Sequence, residues 1–117
     1  MKIVVIEPLG VEKEQLLSIA EEKLPKSAEL VCYDTRVTDT EILIVANLPL
    51  NGQVIRGFQK LKLLSVAFTG VDHIDLEACR EKGVTVCNCA GYSTVAVADL
   101  VFGMLLSLYR NLSLIHI

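Results

Sequence analysis

The residues best placed to do chemistry are Thr69-Gly70-Val71, set between the apolar run Leu63, Leu64, Val66, Ala67, Phe68 and the segment Asp72-His73-Ile74-Asp75. The run reads as a strand covered on both faces in a parallel sheet. Gly70 carries no Cβ and can take a positive φ, so the backbone can bend there and let another molecule reach its amides. In open α/β sheets ligands bind in the crevice beyond the carboxyl ends of the strands, where exposed N–H groups at 69–71 would suit a carboxylate or a phosphate. Asp75 reads as the N-cap of a helix over 76–82, and Gly83 stands where that helix would end. A strand, a glycine turn and a helix also describe an ordinary βα connection, and that competing reading stays open on these residues alone.

The elements that must position this turn alternate along the chain. Residues 2–6 form a buried-strand pattern closed by Glu7-Pro8, and residues 12–24 carry Leu16, Leu17, Ala20 and Leu24 at helical spacing. Strands follow at 30–32 and 42–46, a turn at 47–52, a short helix at 52–61, the strand at 63–68, a helix at 76–82 and a fifth strand at 84–87. Strands separated by helices imply a doubly wound parallel sheet, an α/β fold of three layers and flavodoxin-like outline. Residues 33–41 are few for a parallel crossover through a helix, so the second crossover helix is short or missing.

Composition bounds the rest. The 117 residues suit one domain, and 52% hydrophobic against 21% charged residues excludes a disordered chain. A net charge of −3, with no basic stripe, argues against a nucleic-acid partner. The chain enters a strand directly after Met1, with no signal-peptide pattern, which reads as cytoplasmic. Of the four cysteines, Cys32, Cys79, Cys87 and Cys89, none has a zinc or redox spacing, so they read as reduced and structural, with no metal site. His73 and His116 lack the acidic partner expected of a general acid or base.

Residues 92–112 form a long final helix that Ser93 or Thr94 can cap, about 30 Å in length. It is apolar nearly all round, so one sheet face cannot cover it and a partner surface is implied, with Ala96, Gly103 and Ser107 close to one face. The apolar stretch is shorter than the ~20 residues a membrane span needs, and Asp99 interrupts it, which argues against a membrane.

Three segments in order, Val66-Ala67-Phe68-Thr69-Gly70-Val71-Asp72-His73-Ile74-Asp75-Leu76, Gly83-Val84-Thr85-Val86-Cys87-Asn88 and Gly91-Tyr92-Ser93-Thr94-Val95-Ala96-Val97-Ala98-Asp99, resemble the amino-terminal half of the D-isomer-specific 2-hydroxyacid dehydrogenases. The resemblance implies a substrate-binding domain over 1–91 and an interdomain or dimerisation helix over 92–112, through which a homodimer would form. It implies that backbone amides at Thr69, Gly70 and Val71 receive the substrate carboxylate and that Thr69 also approaches the cofactor. Ser93 and Thr94 become cleft candidates, Ser93 toward substrate and Thr94 toward cofactor, with helix capping as their alternative. Asn47 is a candidate for the same cleft, with a turn role as its alternative.

The activity implied is hydride transfer between NAD or NADP and C2 of a small 2-hydroxy or 2-oxo acid. The chain departs from the family pattern in three ways. Asp99 stands where glutamate is usual, a helix is missing near 38–41, and no Gly-x-Gly-x-x-Gly occurs among Gly10, Gly52, Gly57, Gly70, Gly83, Gly91 and Gly103. The nucleotide-binding domain and the family's catalytic arginine, glutamate and histidine are therefore expected elsewhere. No catalytic residue is assigned to this chain, which reads as a fragment, inactive alone and holding no cofactor strongly, with residues 113–117 a tail unlike the family. The alternatives are a non-catalytic flavodoxin-like binding or regulatory module and a helix-mediated assembly module. A receiver-like module would want an acidic cluster that Glu7-Pro8 and Ala46-Asn47 do not supply.

Overall fold

A computed structural model describes residues 1–34 and 37–112; the tail at 113–117, including His116, lies outside the described residues. The elements are β1 (Lys2–Val5), α1 (Lys13–Lys23), β2 (Glu29–Cys32), β3 (Ile42–Val45), α2 (Gly52–Gly57), β4 (Leu63–Val66), α3 (Leu76–Lys82), β5 (Thr85–Asn88) and α4 (Thr94–Tyr109). The strands form one parallel sheet in the order β2-β1-β3-β4-β5. That order is the flavodoxin-like one, with its switch point between β1 and β3.

Alternation along the strands divides the sheet into two unequal faces. Val4, Leu43, Val45, Leu64 and Val66 are fully buried against Ile55 of α2 and Ala78 and Cys79 of α3. On the other face Ile3 and Val5 are buried, but Ile42, Ile44, Leu63 and Ser65 are only half-buried beside α1 and open onto an apolar groove. The expectation that the fourth strand is covered on both faces therefore holds for one face alone. That strand also ends at Val66, and Phe68 is exposed.

The short second crossover is a bare connection, with no helix among its described residues. The hydroxyl of fully buried Thr40 donates to the Val37 carbonyl at 2.6 Å, which closes a turn where a helix was in question. Helix α2 is shorter than 52–61, because the chain leaves it at Gly57 to drive Phe58 and Leu61 into the core. Cys79 is buried and Cys32 half-buried, as befits structural thiols. Cys87 and Cys89 are exposed, since β5 is an edge strand and the chain turns to solvent after it.

Helix α4 spans 16 residues, not the full 92–112, and so runs about 24 Å. It ends in a left-handed Asn111, where N–H of Leu112 donates to Ser107 at 2.9 Å and N–H of Asn111 to Leu108 at 3.3 Å. This pattern is a Schellman-type stop, which asparagine tolerates. The helix packs on no other described element, and within it every residue but Ser107 is exposed. No helix among the described residues is long and apolar enough to cross a membrane.

Candidate functional site

The carboxyl ends of β1, β3, β4 and β5 bring four connections to one edge of the sheet. The connection after β3 is held from both sides. On the β1 side, Oε1 of Glu7 accepts from the backbone N–H of Ala46 at 2.7 Å and of Asn47 and Leu48 at 2.8 Å. On the β4 side, Leu50 donates to the His73 carbonyl at 2.9 Å and accepts from the N–H of Asp75 at 3.0 Å, a one-residue extension of sheet pairing toward Ile74. Two helix caps lie in the same strip. Asn51 accepts from Val54 at 3.0 Å to start α2, and Asp75 accepts from Ala78 at 3.0 Å to start α3, as its position suggested.

The turn at 69–71 hangs between these anchors and β5. Nδ2 of Asn88, the last residue of β5, donates to the Thr69 carbonyl at 2.7 Å, and N–H of Cys89 donates to the Phe68 carbonyl at 3.0 Å. The Val71 carbonyl accepts from Ile74 at 3.0 Å. The carbonyls of Thr69 and Val71 are thus tied down. Among the described residues, the N–H groups of Thr69, Gly70 and Val71 have no protein acceptor. Thr69 is exposed and Gly70 and Val71 are half-buried, so the amides sit at the surface of the edge.

Gly70 does not use the positive φ open to it; among the glycines that conformation belongs to Gly10, Gly83 and Gly91. A Cβ at Gly70 would meet Oδ2 of Asp72 at an ordinary 3.4 Å.

The other candidates fall unevenly. Asn47 is exposed on the 46–50 loop; its own N–H is taken by Glu7, and its side chain makes no hydrogen bond among the described residues. Ser93 occupies the N-cap of α4, but its hydroxyl makes no capping bond, and Thr94 is exposed. Thr69, Gly70, Val71 and Asn47 share the edge formed by β3 and β4. Ser93 and Thr94 follow the turn after β5, where Thr94 N–H reaches Gly91 at 3.4 Å. No hydrogen bond among the described residues joins them to the 69–71 turn.

Two contributions to this edge were not legible as such. Asn88 closes the Gly83–Asn88 motif and was visible there, yet its bond to Thr69 crosses strands. Glu7 was visible as the end of a strand and as too little for an acidic cluster. Burial pushes its carboxyl up, but bonds from Leu48, Ala46 and Asn47 outweigh that and hold it below the ordinary carboxylate range, with His73 adding a favourable charge. His73 makes no hydrogen bond or ion pair with Glu7 among the described residues. Its Nε2 is buried without a hydrogen-bond partner. Among the described residues no cluster of His, Cys, Asp and Glu could hold a metal ion.

Comparison with known proteins gives one consistent answer. Residues 3–110 match the model of the family described as D-isomer specific 2-hydroxyacid dehydrogenase, catalytic domain. The chain is similar to D-3-phosphoglycerate dehydrogenase of Methanocaldococcus jannaschii, 32% identical over 114 residues, covering 96% of this chain and 22% of the relative. It is similar to hydroxypyruvate reductase of Thermotoga maritima, 30% identical over 115 residues, covering 96% of this chain and 38% of the relative. Among solved structures, the NAD-dependent formate dehydrogenase of Staphylococcus aureus in complex with NAD superposes with a TM-score of 0.73 at 28% identity, covering 95% of this chain and 39% of that one. NAD+-bound 3-phosphoglycerate dehydrogenase of Entamoeba histolytica gives 0.69 at 28% identity, with coverages of 92% and 38%. The chain thus spans well under half the length of these relatives.

Proposed function

Since the chain belongs to the D-isomer specific 2-hydroxyacid dehydrogenase family, we propose that it forms the substrate-side wall of an oxidoreductase acting on a small 2-hydroxy or 2-oxo acid. The single observation that carries this reading is the 69–71 turn. The carbonyls of Thr69 and Val71 are anchored and the amides of the turn stand free at the carboxyl edge of a parallel sheet, an arrangement suited to an incoming carboxylate. Thr69, Gly70 and Val71 grip the carboxylate; Asn47 and Ser93 line the same cleft.

NAD or NADP supplies or accepts the hydride in the parent protein. The residues described here offer no glycine-rich cradle for its pyrophosphate, so no step is routed through it. Thr69 and Thr94 are the positions that approach it from this side. Residues 1–91 act as the substrate domain and 92–112 as the interdomain helix. The catalytic arginine, glutamate and histidine, together with the nucleotide-binding domain, lie in the remainder of a longer parent.

Affinity for a 2-oxo acid is weak in the isolated chain. A hydrogen bond to a charged group contributes about 1.5–3 kcal/mol, and two or three of them barely offset the 4–15 kcal/mol estimated for lost translational and rotational freedom. Purified chain mixed with NADH and pyruvate, hydroxypyruvate or glyoxylate is expected to leave the NADH absorbance unchanged. Steady oxidation would overturn the assignment of the catalytic groups to another part.

The exposed α4 supports a homodimer through 92–112. Val95 is 75%, Phe102 67% and Leu108 79% exposed, and full burial of such side chains is worth about 1.5–3 kcal/mol each. Light scattering of the chain at micromolar concentration is expected to give twice the monomer mass; a monomer at all concentrations would remove this part of the reading.

A further inference from the structure

The loop at 46–48 is itself an anion site with an occupant. Three successive backbone N–H groups converge on one carboxylate oxygen, Oε1 of Glu7, at 2.7–2.8 Å. Successive amides pointing into one concavity form a nest, a recurring anion-binding arrangement. This nest sits between the ends of β1 and β3, at the switch point of the sheet, where α/β folds commonly receive a ligand. Here the anion comes from the chain.

Filling the nest also fixes a path to the turn. Glu7 holds 46–48, and Leu50 bonds both the carbonyl of His73 and the N–H of Asp75, which flank the segment following 69–71. The free amides at 69–71 and the filled amides at 46–48 are thus two neighbouring anion sites. One is open and the other is closed by a side chain.

We propose that Glu7 is a positioning residue, a built-in carboxylate that occupies the 46–48 nest, sets the 46–50 loop against the 69–75 segment, and so leaves 69–71 as the open amide site for an external carboxylate. The part concerning 69–71 rests on the function proposed above; occupation of the nest does not. His73 is the charged or titratable group that acts on Glu7 besides the amides.

The test is chemical rescue followed by 15N–1H correlation spectra of the 117-residue chain. In Glu7→Ala the amide signals of Ala46, Asn47 and Leu48 should move together, and sodium acetate should return them saturably toward parental positions while equal ionic strength of sodium chloride should not. Sodium oxalate should shift Thr69, Gly70 and Val71 in the parent and bind about fivefold more weakly in Glu7→Ala, the lower end of coupling between linked sites. Acetate without effect on 46–48 would overturn the proposal. Equal oxalate binding in parent and variant would overturn the positioning of 69–71. If oxalate shifts 69–71 in neither protein while acetate rescues 46–48, the nest assignment stands and the substrate reading fails. Should Glu7→Ala not fold, the parent alone decides: the three amides must titrate together, below the ordinary glutamate range, and separate or absent titration contradicts the proposal.

Discussion

The two ends of the sheet use the same residue type in opposite ways. At the amino end Glu41 sits among cations: Lys62 at 2.8 Å and the terminal amine at 3.7 Å, with Lys2 paired nearby to Asp39 at 3.1 Å. At the carboxyl end Glu7 meets no cation in a salt bridge among the described residues and instead gathers three amides. Exposed ion pairs exchange readily with water and contribute little. A carboxylate bonded to successive amides dictates backbone geometry, since each N–H has a fixed direction. The amino end is therefore a charged closure, and the carboxyl end is where a side chain places backbone.

That contrast predicts a graded set of effects. The largest is Gly52→Ala, at the start of α2 on the carboxyl side. Its Cβ would come within 2.7 Å of Oδ2 of Asp75, the cap of α3, and 3.3 Å of Ala78. Denaturant unfolding should show a loss of about 1–3 kcal/mol from overpacking. Glu7→Gln comes next, at about 1–2 kcal/mol, because a neutral amide oxygen replaces the charged acceptor of three bonds.

The pH dependence gives the same comparison without a large structural change. Glu7 titrates below its ordinary value when folded, so its stabilisation is complete above the unfolded value and is lost as pH falls through the lowered folded one. Stability of the parent should drop on acidification below about pH 4, and the Glu7→Gln profile should be flatter over that window. Glu41, lowered by its bond to Lys62, pushes in the same direction from a half-buried position, through a partner that is itself exposed.

Smaller still is Asn88→Ala, about 0.5–1.5 kcal/mol for one hydrogen bond. Its clearer signature is a shift of the Thr69 and Gly70 amide signals in the 15N–1H spectrum. The smallest is Glu41→Gln, whose unfolding midpoint should coincide with that of the parent within error. A Glu41→Gln loss equal to that of Glu7→Gln would dissolve the distinction between the two ends.

Much of the fold was legible because its signals are local. Alternating strands and helices gave the parallel sheet, and Asp75 and Gly83 marked both ends of α3. The short 33–41 connection was recognised from residue count alone, since no chain can fit a crossover helix into too few residues. What escaped were features set by tertiary neighbours. Phe58 and Leu61 lie at helical spacing, yet the core draws them out of α2. Gly70 could take a positive φ but does not, and neighbouring bonds from Asn88 and Cys89 shape the turn without one. Glu7 could not be read as an anchor because its partners lie in another connection, brought near only when β1 and β3 pair. Thr69, Gly70 and Val71 were legible as a candidate site since strand, turn and helix start are contiguous; Asn47 joins them only through the pairing of β3 with β4.

The most direct measurement is a titration of the 15N-labelled chain with sodium oxalate, read at both ends of the sheet. The amino end offers the cations Lys2 and Lys62, and the carboxyl end offers uncharged amides. Saturable shifts are expected at Thr69, Gly70 and Val71, with the amides of Lys2 and Lys62 unmoved at constant ionic strength. Shifts concentrated at Lys2 and Lys62, with 69–71 silent, would contradict the open amide site at 69–71.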